Sequence, residues 1–105
     1  MSAVTTHVLD TAEGRPAAGV PITLEYAVAG GWREVGHGET DAEGRCRTLL
    51  EPEHALLTGS YRITFETRAP FYPRVVVYFN IYDATQHYHI PLLLSPYGYS
   101  TYRGS

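Results

Sequence analysis

The chain has 105 residues, with 8 Lys and Arg against 11 Asp and Glu, giving a formal net charge of −3. That size suits one domain over residues 1–105 with one core, and an acidic balance without a basic stretch argues against nucleic acid as a partner. The longest purely apolar stretch, Val75 to Phe79, falls far short of the roughly 20 residues of a membrane span.

In chain order, the pattern is strand after strand. Residues 1–20 show no basic and apolar leader, and Val4 to Leu9 is β-compatible, closed by turn residues from Asp10 to Gly14. Pro16 and Pro21 bracket a short connection. Ile22, Leu24, Tyr26 and Val28 then alternate with Thr23, Glu25 and Ala27, the period of a half-buried strand. Gly30-Gly31 marks a turn into a third strand, Trp32 to Glu39. Asp41-Ala42-Glu43-Gly44 is a second turn, its glycine free to take a positive φ. Arg45 to Leu50 reads as a fourth strand, and Glu51 to Leu57 as the one credible helical turn. Ser60 to Arg68, Arg74 to Asp83, His87 to Leu94 and Gly98 to Tyr102 complete the set. Short, evenly spaced strands predict an all-β, two-sheet antiparallel sandwich. Cys46, the one cysteine, excludes an internal disulfide and suits a reducing compartment; it reads as a half-buried strand residue rather than a nucleophile.

The run His87-Tyr88-His89-Ile90-Pro91-Leu92-Leu93-Leu94 carries the chemistry. Side chains alternate along a strand, so His87 and His89 share one face while Tyr88, Ile90, Leu92 and Leu94 share the other, which reads as core. His7 lies on the face of its own strand opposite Val8. If the two strands approach, His7 and His89 meet across a cleft and can activate water near neutral pH. The same histidines also fit a wetted sheet face, or a three-histidine metal site without flanking cysteine or carboxylate ligands. Arg45 and Arg47 share the face opposite Cys46. An arginine there suits an oxyanion or a planar anionic substrate, although an arginine after an acidic turn is commonly solvated. Tyr82, Tyr88, Tyr97, Tyr99 and Tyr102 suit a core or an interface. A terminal Tyr102-Arg103-Gly104-Ser105 is expected to be docked rather than frayed if it serves a site.

These residues resemble a known family. Thr6-His7-Val8-Leu9-Asp10 with Gly14-Arg15-Pro16-Ala17, then Asp41-Ala42-Glu43-Gly44-Arg45, then His87-Tyr88-His89 through Tyr102-Arg103-Gly104-Ser105, are similar to the transthyretin-like proteins. Within them, the terminal Tyr-Arg-Gly-Ser resembles the 5-hydroxyisourate hydrolases and separates them from the hormone-carrying transthyretins. The resemblance implies an eight-stranded prealbumin-like sandwich with at most one short helix. It also implies a homotetramer, a dimer of dimers, whose active sites lie in the channel between dimers. The implied activity is hydrolysis of 5-hydroxyisourate to 2-oxo-4-hydroxy-4-carboxy-5-ureidoimidazoline in urate breakdown, with neither metal nor organic cofactor; the cytoplasm is expected from the missing leader and the lone Cys46. On this basis His7, Arg45 and His89 are the expected catalytic residues, and Tyr102, Arg103, Gly104 and Ser105 the expected substrate-binding ones. His7 and His89 would activate water, Arg45 would orient substrate and offset oxyanion charge, Tyr102 and Ser105 would close the pocket, and Arg103 would hold the tail. One departure is visible: Arg68-Ala69-Pro70-Phe71-Tyr72-Pro73 replaces the longer, helix-bearing connection usual in the family. A ligand carrier without catalysis, or a structural sandwich module, gives no reason for the His7, Arg45, His89 and terminal tetrapeptide set.

Overall fold

The computed structural model describes residues 2–50 and 54–104. Among the described residues nine strands form two sheets: β1 (Val4–Asp10), β2 (Arg15–Pro16), β3 (Pro21–Val28), β4 (Gly31–Glu39), β5 (Arg45–Cys46), β6 (Gly59–Phe65), β7 (Val75–Ile81), β8 (Tyr88–Ser95) and β9 (Gly98–Thr101). One sheet is antiparallel throughout, in the order β4-β3-β6-β7, with an irregularity in register between Leu24 and Glu25. The other is built on β1. Its first edge takes two short segments, with Leu9 opposite Pro16 in β2 and His7 opposite Arg45 in β5. Its second edge pairs in parallel with β8, from Val4 opposite Tyr88 to Asp10 opposite Leu94, and β9 returns antiparallel outside β8. The two-sheet all-β sandwich is as expected; among the described residues the β1–β8 pairing is its one parallel neighbour.

Alternation places the core. Val4, Thr6 and Val8 of β1 with Tyr88, Ile90 and Leu92 of β8 face Ile22, Leu24, Tyr61, Ile63, Phe65, Val75 and Ile81 of the other sheet. Thr6 is a polar residue among them, and it is satisfied by donating its hydroxyl to the Ile90 carbonyl at 2.5 Å. The fourth strand is shorter than the pattern predicts. After Cys46 the chain leaves the sheet, because Leu49 and Leu50 turn into the core and Leu50 bridges to Gly36. There is no helix among the described residues. Of the helical turn expected over Glu51 to Leu57, residues 51–53 lie outside the described residues, and His54 to Leu57 is irregular. No helix among the described residues is long and apolar enough to cross a membrane.

The short connection from β6 to β7 is closed by its own backbone. Arg68 takes a left-handed φ of 58°, its N–H reaches the Pro73 carbonyl at 3.0 Å, and the Thr67 hydroxyl donates to the Tyr72 carbonyl. Phe71 and Tyr72 then stack edge-on against Tyr97 and Tyr99, at 5.4 and 5.1 Å between ring centroids, tying the loop to the β8–β9 turn.

Candidate active site

The face of the β1 sheet turned away from the core gathers residues from four separate stretches of chain. Thr5 and His7 project there from β1, since Val4, Thr6 and Val8 are committed to the core. Register does the rest. Thr5 lies opposite His89 of β8, and His7 lies between Arg45 of β5 on one side and Pro91 of β8 on the other. His87, one step before β8, joins the same face: its ring stacks on that of His89 at 6.5 Å between centroids, with 16° between the planes. The Thr5 hydroxyl sits between the two rings, 2.8 Å from His89 Nδ1 and 3.0 Å from His87 Nε2.

His89 is half-buried, and its imidazole is harder to protonate than an ordinary histidine. Burial is the main cause, because a charged ring loses hydration there. The Arg45 guanidinium adds to it, as do His87 and His7. The result is a neutral ring close to a fixed cation, an arrangement able to take a proton from water at neutral pH.

Arg45 is placed by the turn that precedes it. Asp41 Oδ1 accepts the backbone N–H groups of Glu43 and Arg45 at 2.9 and 3.0 Å, and its carbonyl accepts the Gly44 N–H at 2.9 Å. The Arg45 N–H is the leading reason that the Asp41 carboxyl titrates below the usual range. Gly44 takes a φ of +76°, and a Cβ there would lie 2.5 Å from the Val8 carbonyl oxygen and 3.2 Å from His7 Cδ2. The turn therefore needs glycine for both its conformation and its fit beside His7. Arg47 points to solvent, 3.7 Å from Asp41 and 3.8 Å from Glu43 in exposed ion pairs. Cys46 faces the core, where burial pushes its thiol up and leaves it unreactive.

The last residues run back along β8. Pro91 has no N–H to offer the returning chain, and the Thr101 hydroxyl donates to its carbonyl at 2.7 Å. Gly104 then bridges to His89, donating its N–H to the His89 carbonyl at 2.8 Å. Arg103 turns the other way. Its guanidinium lies 4.4 Å over the Tyr88 ring and donates to Gln86 Oε1 at 2.8 Å, which anchors the tail. Tyr102 and Arg103 border a recess of about 320 Å³ between β7 and the tail, lined also by Val77, Phe79 and Tyr88. His7, Arg45 and His89 are absent from that lining. Thus His7, Arg45, His89 and Gly104 come together on one face, Tyr102 and Arg103 flank the recess beside β7, and Ser105 lies outside the described residues. No group of three His, Cys, Asp or Glu side chains among the described residues is arranged to hold a metal ion.

Gly104 also sets the space for the His89 ring, since a Cβ there would lie 2.7 Å from His89 Cδ2. Gly104→Ala is therefore expected to turn the imidazole and lower turnover by up to about 10²-fold, the cost of an ångström-scale misplacement. Thermal unfolding of the same variant should move little, because Gly104 lies at the sheet margin. Thr5 is the residue that reading the sequence missed. A threonine in a strand is ordinary filler, and only its place two residues before His7 puts it on the histidine face.

A profile of the HIUase/Transthyretin family matches residues 4–104. A 5-hydroxyisourate hydrolase of Salmonella typhimurium is 45% identical over an alignment spanning 94% of this chain and 78% of that protein. Among solved structures, a 5-hydroxyisourate hydrolase of Klebsiella pneumoniae superposes with a TM-score of 0.82 at 34% identity, covering 100% of both chains. Sea bream transthyretin in complex with thyroxine superposes with a TM-score of 0.88 at 31% identity, covering 98% of this chain and 95% of that one. Sandwich topology and similarity over nearly the whole chain agree: the chain belongs to the HIUase/Transthyretin family.

Proposed function

We propose that this chain is a 5-hydroxyisourate hydrolase of urate breakdown, one domain over residues 1–105 that opens the six-membered ring with water. The observation that carries the reading is the convergence of a proton-poor His89, His7 and Arg45 on one face of the β1 sheet. Water is held and deprotonated by the histidine pair, and its oxygen adds to the ring carbonyl carbon. Negative charge then develops on the carbonyl oxygen, where the Arg45 guanidinium offsets it. As the carbon–nitrogen bond breaks, the proton returns from the pair to the leaving nitrogen. The single ring-opened product contains every atom of substrate and water, and no cofactor enters the step. Tyr102 and Ser105 are assigned to substrate binding, and Arg103 holds the tail. Two dimers pack into a homotetramer, with the His7–Arg45–His89 face turned to the channel between them. The enzyme works in the cytoplasm, where Cys46 stays reduced.

The test is the ultraviolet decay of freshly made 5-hydroxyisourate with and without the protein, after subtracting spontaneous decay. Acceleration is expected, and kcat/KM should fall only as the pH drops below about 6.5, the ordinary histidine value. The sign follows from His89: the base is active when neutral, and its proton affinity is lowered, so its acid limb shifts to lower pH. A correctly assembled protein without acceleration would leave a ligand carrier of the transthyretin kind.

A further inference from the structure

We propose that Thr5 is a positioning residue for hydrolysis, its hydroxyl linking His87 and His89 so that the neutral His89 ring keeps its proton on Nδ1 and its lone pair on Nε2. The inference rests on the hydrolase reading above and adds the group that decides which nitrogen is the base. A threonine hydroxyl has one proton, so between two imidazole nitrogens it donates to one and accepts from the other. At 2.8 Å from His89 Nδ1 and 3.0 Å from His87 Nε2, both bonds are made at once. Two directions are possible. In one, His89 Nδ1–H donates to Thr5 Oγ1, Thr5 donates to His87 Nε2, and His89 Nε2 is left free to accept a proton from water. In the other, Thr5 donates to His89 Nδ1, the neutral ring carries its proton on Nε2, and the base is blocked.

The hydrolase reading selects the first direction, because Thr5 occupies His89 Nδ1 and Nε2 is the ring nitrogen left to take a proton from water. Burial and the Arg45 guanidinium oppose a second proton on the same ring. Thr5 itself is 4% exposed, covered by the two rings it joins, so water cannot readily take its place. The hydroxyl is thus fixed by geometry between the two rings. Its effect passes through His89, in the way an orienting partner fixes a histidine tautomer in other hydrolases.

Nitrogen-15 NMR of the His89 ring in the wild-type protein tests the tautomer directly, without any substitution. Thr5→Val, of the same shape without the hydroxyl, and Thr5→Ser, which keeps it, are compared by the same spectra and by kcat and KM for 5-hydroxyisourate. The wild-type spectrum is expected to show protonated Nδ1 and bare Nε2. Thr5→Val should shift His89 toward the Nε2-protonated form and lower kcat about 10- to 100-fold with KM unchanged, below the roughly 10⁴ lost with a wrong tautomer in a serine-protease triad. Thr5→Ser should restore both. A wild-type His89 protonated on Nε2, or a folded Thr5→Val with unchanged spectra and kcat, would overturn the proposal. A wild type that fails to accelerate the decay would sink the hydrolase reading instead, and the nitrogen spectra would still decide on Thr5.

Discussion

His89→Ala is expected to lower kcat/KM for 5-hydroxyisourate by about 10²–10⁴-fold, the contribution of a well-placed general base. The variant removes the ring whose proton affinity is lowered by burial and by Arg45, and alanine offers no replacement. Folding should survive, because His89 faces away from the core while its neighbours Tyr88 and Ile90 hold β8 in place. The His89 carbonyl still receives the Gly104 N–H, so the tail stays docked. Most of the loss should appear in kcat, since Arg45 and the tail, the groups proposed to hold the substrate, remain. The acid limb of the pH profile should vanish with the ring. A folded variant retaining wild-type rates would move the base elsewhere, with His7 first in line.

Phe65→Ala should lower the unfolding free energy by about 3–5 kcal/mol, the usual cost of removing a fully buried aromatic ring. Phe65 is 0% exposed, at the end of β6 between Ile22 of β3 and Val75 of β7. Domains of this kind hold only about 5–15 kcal/mol in total, so the change should be visible as a large drop in the urea midpoint at unchanged slope. Because Phe65 belongs to the sheet across the core from the histidines, turnover per folded molecule should be preserved at low temperature. A midpoint that does not move would mean that the core closes over the cavity at little cost.

Much of this architecture is written locally. Alternation along Tyr88, Ile90 and Leu92 against His87 and His89 gives the strand, its core face and its site face together. The same holds for Ile22 and Leu24, and Asp41 with Gly44 announces the turn that places Arg45. What is not local is not legible. Nothing in the order of residues says that β1 and β8 run parallel, or that Thr5 falls opposite His89 rather than Pro91. The recess beside Tyr102 and Arg103 is equally hidden, because β7 meets the tail only in three dimensions. Leu49 and Leu50 look like strand residues by composition, yet the demand of the core draws them out of the sheet.

The parallel pairing of β1 with β8 has a consequence for the order of assembly. Thr6 bonds to Ile90 across 84 residues of chain, whereas β3, β4, β6 and β7 pair across shorter stretches in antiparallel fashion. Contacts of such long separation close late and slow the folding of β-rich domains to milliseconds or seconds. During synthesis, β1 emerges first and must wait with an open edge until nearly everything else has followed. The histidine face thus comes into being with the final closure, so a half-made chain has a sheet but no catalyst.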